Sequence, residues 1–172
     1  MRNVWPHLRA IAVLPGLALV GVPATILIAT GAIDVGWGLP AALAWLPVLL
    51  GALLMGAGLA LMYRTIRLFA RAGQGTLAPW DPTRRLVIQG PYRYLRNPMI
   101  SGVLAVLIGE AVLLGSPPLA AWFAVFLAAN AAWFPLVEEP GLRRRFGREY
   151  DTYARAVPRW IPRRTPWSPP TP

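Results

Sequence analysis

Between Gly90 and Pro98 the chain reads Gly-Pro-Tyr-Arg-Tyr-Leu-Arg-Asn-Pro, which places Tyr92, Arg93, Tyr94 and Arg96 within five residues. Gly90-Pro91 is a turn signal. Asn97-Pro98 can open a helix, because the amide that proline lacks is one a helix's first turn leaves unpaired anyway. Aromatic rings and guanidinium groups crowded at a helix start suit an adenine ring together with a carboxylate or phosphate. The same composition also suits interfacial anchoring, with tyrosine at headgroup level and arginine on anionic lipid. Composition alone favours that simpler use.

The second group of chemical interest is the carboxylate pair Glu138-Glu139. Leu142, Phe146, Tyr150, Tyr153 and Val157 follow at spacings of four, four, three and four, one apolar stripe of a helix. Arg143, Arg144, Arg145, Arg148 and Arg155 fall on its other faces. Such a helix lies on a membrane surface or folds over the mouth of a helix bundle. Near so many arginines, the carboxylates suit either a binding site or a structural ion pair. Pro158 ends the stripe. Six prolines lie among residues 158–172, so an extended tail is expected, flexible over 163–172.

The elements that position these groups are membrane helices. Of the 172 residues 56% are hydrophobic and only 14% are charged, against roughly a quarter in soluble domains. Every basic residue is an arginine, and the net charge is +10. Apolar runs at 8–30, 39–63, 99–115 and 119–137 approach the ~20 residues that a bilayer crossing needs. The first is too long for a signal peptide and is expected to be retained, kinked at Pro15 and Pro23. In the second, Ala52, Gly56 and Ala60 offer a small-residue face for a neighbouring helix.

Arginines cluster before the first run, between the second and third, and after the fourth. That alternation sets both termini and the motif segments (73–98 and 138–162) on the cytoplasmic side. The expectation is one all-α domain over 1–172, a polytopic membrane helix bundle with four transmembrane helices and a cytoplasmic amphipathic C-terminal helix. The arginines between apolar runs read as topology, and nucleic acid is not an expected partner. With no cysteine, and His7 the one histidine, thiol catalysis and a Cys- or His-built metal site are set aside. Within the spans, Glu110 suits either a functional role or a protonated, inward-facing carboxyl; Asn130 is the milder intramembrane polar group.

Together the segments resemble the isoprenylcysteine carboxyl methyltransferase family of membrane enzymes and its small bacterial relatives. The resemblance rests on Gly90 to Pro98 with Gly102, then on Glu138, Glu139, Leu142, Phe146, Gly147, Tyr150 and Tyr153. It closes on Val157, Pro158, Arg159, Ile161 and Pro162, and covers about residues 73–162. It implies S-adenosyl-L-methionine as cofactor, bound from the cytoplasm, and a lipophilic acceptor arriving from membrane lipid. The implied cofactor site comprises Gly90, Tyr92, Arg93, Tyr94, Arg96, Asn97, Pro98, Gly102, Glu138, Glu139, Tyr150 and Tyr153. Glu139 and Arg159 are the implied catalytic residues. Glu138 and Glu139 would hold the cofactor's ammonium or balance its sulfonium, and Tyr150, Tyr153 and Arg159 would close the pocket or position the acceptor.

Asn97 stands where the family shows histidine; it can hydrogen-bond a carboxylate or hydroxyl but cannot become a cation or a general base. A carboxylate or thiolate acceptor needs no base, whereas an amine must lose a proton. The alternatives are a phospholipid-amine or small-thiol acceptor, an NADPH-dependent membrane reductase, and a membrane protein without enzymatic activity.

Overall fold

The computed structural model describes residues 15–72, of which 69–72 by backbone alone, and 86–169. Residues 8–14 of the first apolar run, Arg2, His7, Arg9 and the stretch 73–85 with Arg84 and Arg85 lie outside the described residues, as does the tail from 170. The described residues form helices and turns without a strand.

Helix α1 (Leu17–Thr30) opens with a π turn, Leu17–Gly21, immediately ahead of Pro23. Proline donates no amide hydrogen bond, so the turn before it widens instead of closing regularly. Helix α2 (Trp45–Ala72) starts later and ends later than the apolar run 39–63, because Leu39 to Ala44 form turns. Helix α3 (Pro98–Leu114) and helix α4 (Pro117–Trp133) each have proline in the first turn. A second π turn, Phe134–Glu138, again carrying a proline, joins α4 to α5 (Glu139–Ala156) without a loop. Gly147, in the left-handed region, breaks α5 midway.

The tightest packing is between α2 and α3, which cross on four glycines. A Cβ on Gly51 would lie 2.7 Å from the Gly109 carbonyl oxygen, and one on Gly58 would lie 2.5 Å from that of Gly102. Both pairs are seven residues apart on each helix, two turns of an antiparallel seam. Backbone-to-backbone approach of this kind maximises van der Waals contact where lipid offers no hydrophobic drive. The small face is therefore Gly51 and Gly58, not Ala52, Gly56 and Ala60; Gly56 has nothing within 4 Å of a Cβ. The four-residue spacing was a misleading cue, since a nearly antiparallel pair repeats its contacts every seven. Met62, Val103, Val106 and Leu107 fill the layer beneath, with Trp122, Phe123 and Phe126 of α4 against them.

At one end of the bundle the 31–38 loop folds onto the end of α3. The Asp34 amide donates to the Leu114 carbonyl at 2.8 Å and the Trp37 indole to that of Val112 at 2.7 Å. Gly115 turns the chain there with φ +56°, and a side chain at this position would collide with the Asp34 backbone. Helix α1 joins α4 through the Trp122 indole, which donates to the Ala18 carbonyl at 3.1 Å. The end of α2, the start of α3, the π turn and α5 thus gather at the opposite end, with both motif segments.

Two helical stretches are long and apolar enough to cross a membrane, Trp45–Leu68 and Pro117–Ala156. Only 17% and 6% of their most apolar windows is buried inside the protein, which separates them from core helices of a soluble fold. Helices Leu17–Thr30 and Pro98–Leu114 are shorter; the 17 residues of the latter rise about 25 Å against a hydrocarbon core of about 30 Å.

Candidate functional site

The site begins with a 3-10 turn, Gly90–Arg93, entered through Gly90 at φ +53° and resting on Leu68 of α2. Leu95 is buried and anchors the turn from inside. Asn97 has non-helical backbone angles and occupies the cap position of α3, followed by the buried Pro98.

Helix α5 supports the turn from the other side. Its apolar stripe does not face lipid. Tyr150, Tyr153 and Val157 form a buried cluster with Leu86, Ile88, Leu142, Phe146 and Trp167 packed on it. The Tyr153 hydroxyl donates to the Tyr92 carbonyl at 2.7 Å. Burial raises the phenols of Tyr92, Tyr150 and Tyr153 above their ordinary range. At Tyr153 the Arg96 charge pulls the other way, and at Tyr92 the Tyr153 and Glu138 groups add to the rise. The three hydroxyls therefore keep their protons at any physiological pH.

Glu139 is the electrostatic centre, its side chain 8% exposed. Its Oε1 accepts from Arg96 Nη1 at 3.0 Å and from Arg159 Nε and Nη2 at 2.8 and 2.6 Å. Arg143 lies 3.8 Å from Oε2. Arg96 also donates to the Tyr150 hydroxyl at 3.3 Å. Arg143 is paired more closely with Asp151, at 3.1 Å, so the buried carboxylate is shared by two guanidinium groups, Arg96 and Arg159, a net positive setting for an anionic group. It does not suit capture of an ammonium by Glu139, whose carboxylate is already held by cations. Of the expected carboxylate pair, Glu138 makes none of these ion pairs and is exposed. Successive helical residues point about 100° apart, so two adjacent carboxylates do not address one target.

The remaining expected residues divide in the same way. The Arg93 guanidinium is engaged by the C-terminal tail, Nε with the Trp167 carbonyl at 2.7 Å and Nη2 with Ser168 Oγ at 2.6 Å. Tyr94 accepts the Arg163 amide on its carbonyl at 2.9 Å. Gly102 sits in the glycine seam against Gly58 and Met62, where its role is close helix approach. The tail is extended as expected, yet residues 163–168 are fastened rather than loose. Its prolines leave the amides of Arg163 and Trp167 free to pair, and rings of Trp160 and Trp167 dock on Phe134 and Tyr153.

Three buried polar atoms along this face have no partner: Arg96 Nε, Asn97 Nδ2 and Ser101 Oγ. Ser101 lies four residues after Asn97, one helical turn further along the same face, and its amide donates to the Asn97 carbonyl at 2.9 Å. Proteins rarely leave buried donors unsatisfied, since each costs ~1–3 kcal/mol. Two nitrogen donors and a hydroxyl, all unpartnered within six residues at the start of α3, match an acceptor-rich small molecule such as the carboxylate and hydroxyls of an amino-acid nucleoside. The residues present thus fit the implied cofactor. The i, i+4 spacing from Asn97 was the available cue to Ser101, which the motif reading missed. Among the described residues no cluster of three metal-ligating side chains occurs. Glu110, on α3, leaves Oε2 buried without a partner, and Asn130 donates back to the Phe126 carbonyl.

Comparison with known proteins follows the same segments. The family model described as Phospholipid methyltransferase matches residues 46–149, from the start of α2 to the middle of α5. Protein-S-isoprenylcysteine O-methyltransferase B of Arabidopsis thaliana is 38% identical over 78 residues, 45% of this chain and 40% of that protein. The probable protein-S-isoprenylcysteine O-methyltransferases of Oryza sativa subsp. indica and subsp. japonica are each 34% identical over 83 residues, 48% of this chain and 44% of theirs. The chain therefore matches less than half the length of these curated relatives. No solved structure matches. With its outward-facing apolar helices and a match over most of its length, this integral membrane protein belongs to the phospholipid methyltransferase family and is a relative of the protein-S-isoprenylcysteine O-methyltransferases.

Proposed function

We propose that the protein is an S-adenosyl-L-methionine-dependent methyltransferase acting on a lipophilic acceptor of the isoprenylcysteine-carboxylate type. The observation that carries this reading is the trio of buried unpartnered atoms, Arg96 Nε, Asn97 Nδ2 and Ser101 Oγ, beside the positive Arg96–Glu139–Arg159 cluster. The relatives' names supply the acceptor class.

In this reading Asn97, Ser101 and Arg96 hold the polar parts of the cofactor, and Tyr92 and Tyr94 flank it. When bound, S-adenosyl-L-methionine supplies a methyl group on a sulfonium, open to in-line displacement. The chain's own work is alignment and exclusion of water, which suffices for an acceptor already ionised. Glu139 positions Arg96 and Arg159, and Arg159, 26% exposed on its outer side, is the cation that meets an incoming carboxylate. Glu138 remains open to the acceptor or to the cofactor's ammonium. Family membership keeps a phospholipid amine as the second acceptor class.

The same reading counts α1 and α3 as spans beside the two longer ones, giving four. Positive residues retained on one side set both termini and the site on the cytoplasmic face of a membrane, a bacterial inner membrane by the resemblance to bacterial relatives.

The test is transfer of a labelled methyl group from the cofactor to a synthetic S-farnesyl-cysteine, a phosphatidylethanolamine vesicle and a small thiol. Base-labile label on the first, the mark of a carboxyl ester, supports the proposal. Base-stable label confined to the amine lipid or the thiol would move the acceptor class, and no transfer to any of the three would overturn it.

A further inference from the structure

Arg93 lies in the middle of the motif turn, yet both described contacts of its guanidinium are to the far C-terminal tail, 74 and 75 positions away. The backbone closes the same link, since the Trp167 amide donates to the Arg93 carbonyl at 2.9 Å. Residues 167 and 168 thus hold Arg93 at three points, two on its side chain and one on its backbone. Two further backbone bonds run alongside, Arg163 amide to Tyr94 carbonyl and Arg96 amide to Pro158 carbonyl, both 2.9 Å. The Trp167 ring sits 5.7 Å from that of Tyr153, whose hydroxyl holds the Tyr92 carbonyl from below. The turn is therefore gripped on consecutive residues, Tyr92 by α5 and Arg93 by the tail. A 3-10 turn of four residues has little internal stability, and its geometry depends on such outside contacts.

We propose that Arg93, Trp167 and Ser168 form a clasp that positions the Tyr92–Asn97 segment, so that Arg93 serves the site without touching cofactor or acceptor. This inference rests on the methyltransferase reading for its binding consequence and on the geometry alone for the clasp. Loosening the clasp lets the turn sample other conformations, and affinity falls by the fraction of time the competent one is lost.

The experiment compares the full chain with a chain ended at Thr165 and with Arg93→Gln, all in detergent. Amide hydrogen exchange over residues 90–96, calorimetric binding of S-adenosylhomocysteine and the thermal unfolding of the helices are measured on each. In both variants exchange over 90–96 should quicken at least tenfold and affinity should weaken about tenfold, while in Arg93→Gln, which leaves the Trp167 ring against Tyr153, the helices unfold at the wild-type temperature. Ser168→Thr, which keeps the hydroxyl, should behave as wild type. Unchanged exchange in Arg93→Gln would overturn the clasp. Quicker exchange with unchanged affinity would overturn its positioning role. If the full chain binds no S-adenosylhomocysteine, the methyltransferase reading falls, and the exchange data alone decide: quickening sustains the clasp and its absence refutes it.

Discussion

Arg96 and Glu139, 43 positions apart in the chain, meet at 3.0 Å where the segment just ahead of α3 reaches the first residue of α5. That bond ties one motif to the other. It also turns Arg96 so that one guanidinium edge is spent on Glu139 and Tyr150 while Nε is left without a partner. The ion pair is thus structural at one edge, and in the proposed reading the other edge is the one that meets the cofactor.

Replacing Glu139 by alanine should weaken S-adenosylhomocysteine at least tenfold, about 1.4 kcal/mol, because Arg96 and Arg159 lose their common partner and swing apart. Glu139→Gln should lose less, since an amide oxygen still accepts from one guanidinium. Calorimetry on the purified variants checks the order.

Ser101→Ala and Asn97→Ala should separate stability from binding. Each removes a buried polar atom that has no partner in the protein, so the ligand-free fold should melt at the wild-type temperature or slightly above it. Affinity for the cofactor should fall about five- to tenfold, one hydrogen bond's worth. A lowered melting temperature with unchanged affinity would place both residues in the scaffold.

The glycine seam makes a prediction of opposite character. Gly58→Ala should destabilise the bundle by ~1–3 kcal/mol, because its Cβ would come within 2.5 Å of the Gly102 carbonyl oxygen and cannot be relieved by a side-chain rotation. Gly56→Ala, with open space around it, should be neutral or stabilising by up to ~1 kcal/mol. Thermal unfolding in the same detergent compares the two.

The buried tyrosines set the response to alkali. Folding raises the phenols of Tyr92, Tyr150 and Tyr153, so the folded state holds protons that the unfolded state has lost above pH ~10. Their stabilising contribution is therefore intact below that pH and declines as pH rises beyond it. Tyrosinate absorbance from these three should appear together with loss of helical signal. Tyr153→Phe, which forfeits the bond to the Tyr92 carbonyl, should lower stability by about 1 kcal/mol at neutral pH.

What the sequence revealed was local in the chain. The turn at Gly90-Pro91, the opening of α3 at Pro98, the stripe from Leu142 to Val157 and the all-helical class each depend on neighbours within a helical turn or two. What it concealed was pairing at a distance. Nothing local to Arg93 announces Trp167 and Ser168, and a tail with six prolines reads as loose because its few free amides carry no pattern. The carboxylate pair looked like one device; helical geometry divided it into a buried hub and an exposed neighbour. The small-residue face was misplaced, Gly51 and Gly58 meeting α3 instead of Ala52, Gly56 and Ala60, since spacing alone does not say which side of α2 meets α3.

The central claim is that this membrane protein builds a site for a sulfonium nucleoside between its two arginine-rich motifs. Calorimetric titration of the detergent-purified full chain with S-adenosylmethionine, S-adenosylhomocysteine and NADPH tests it most directly. Saturable one-to-one binding of both sulfur compounds, weakened in Asn97→Ala and absent with NADPH, is the expected result. Failure of both sulfur compounds to bind, or binding of NADPH in their place, would contradict it.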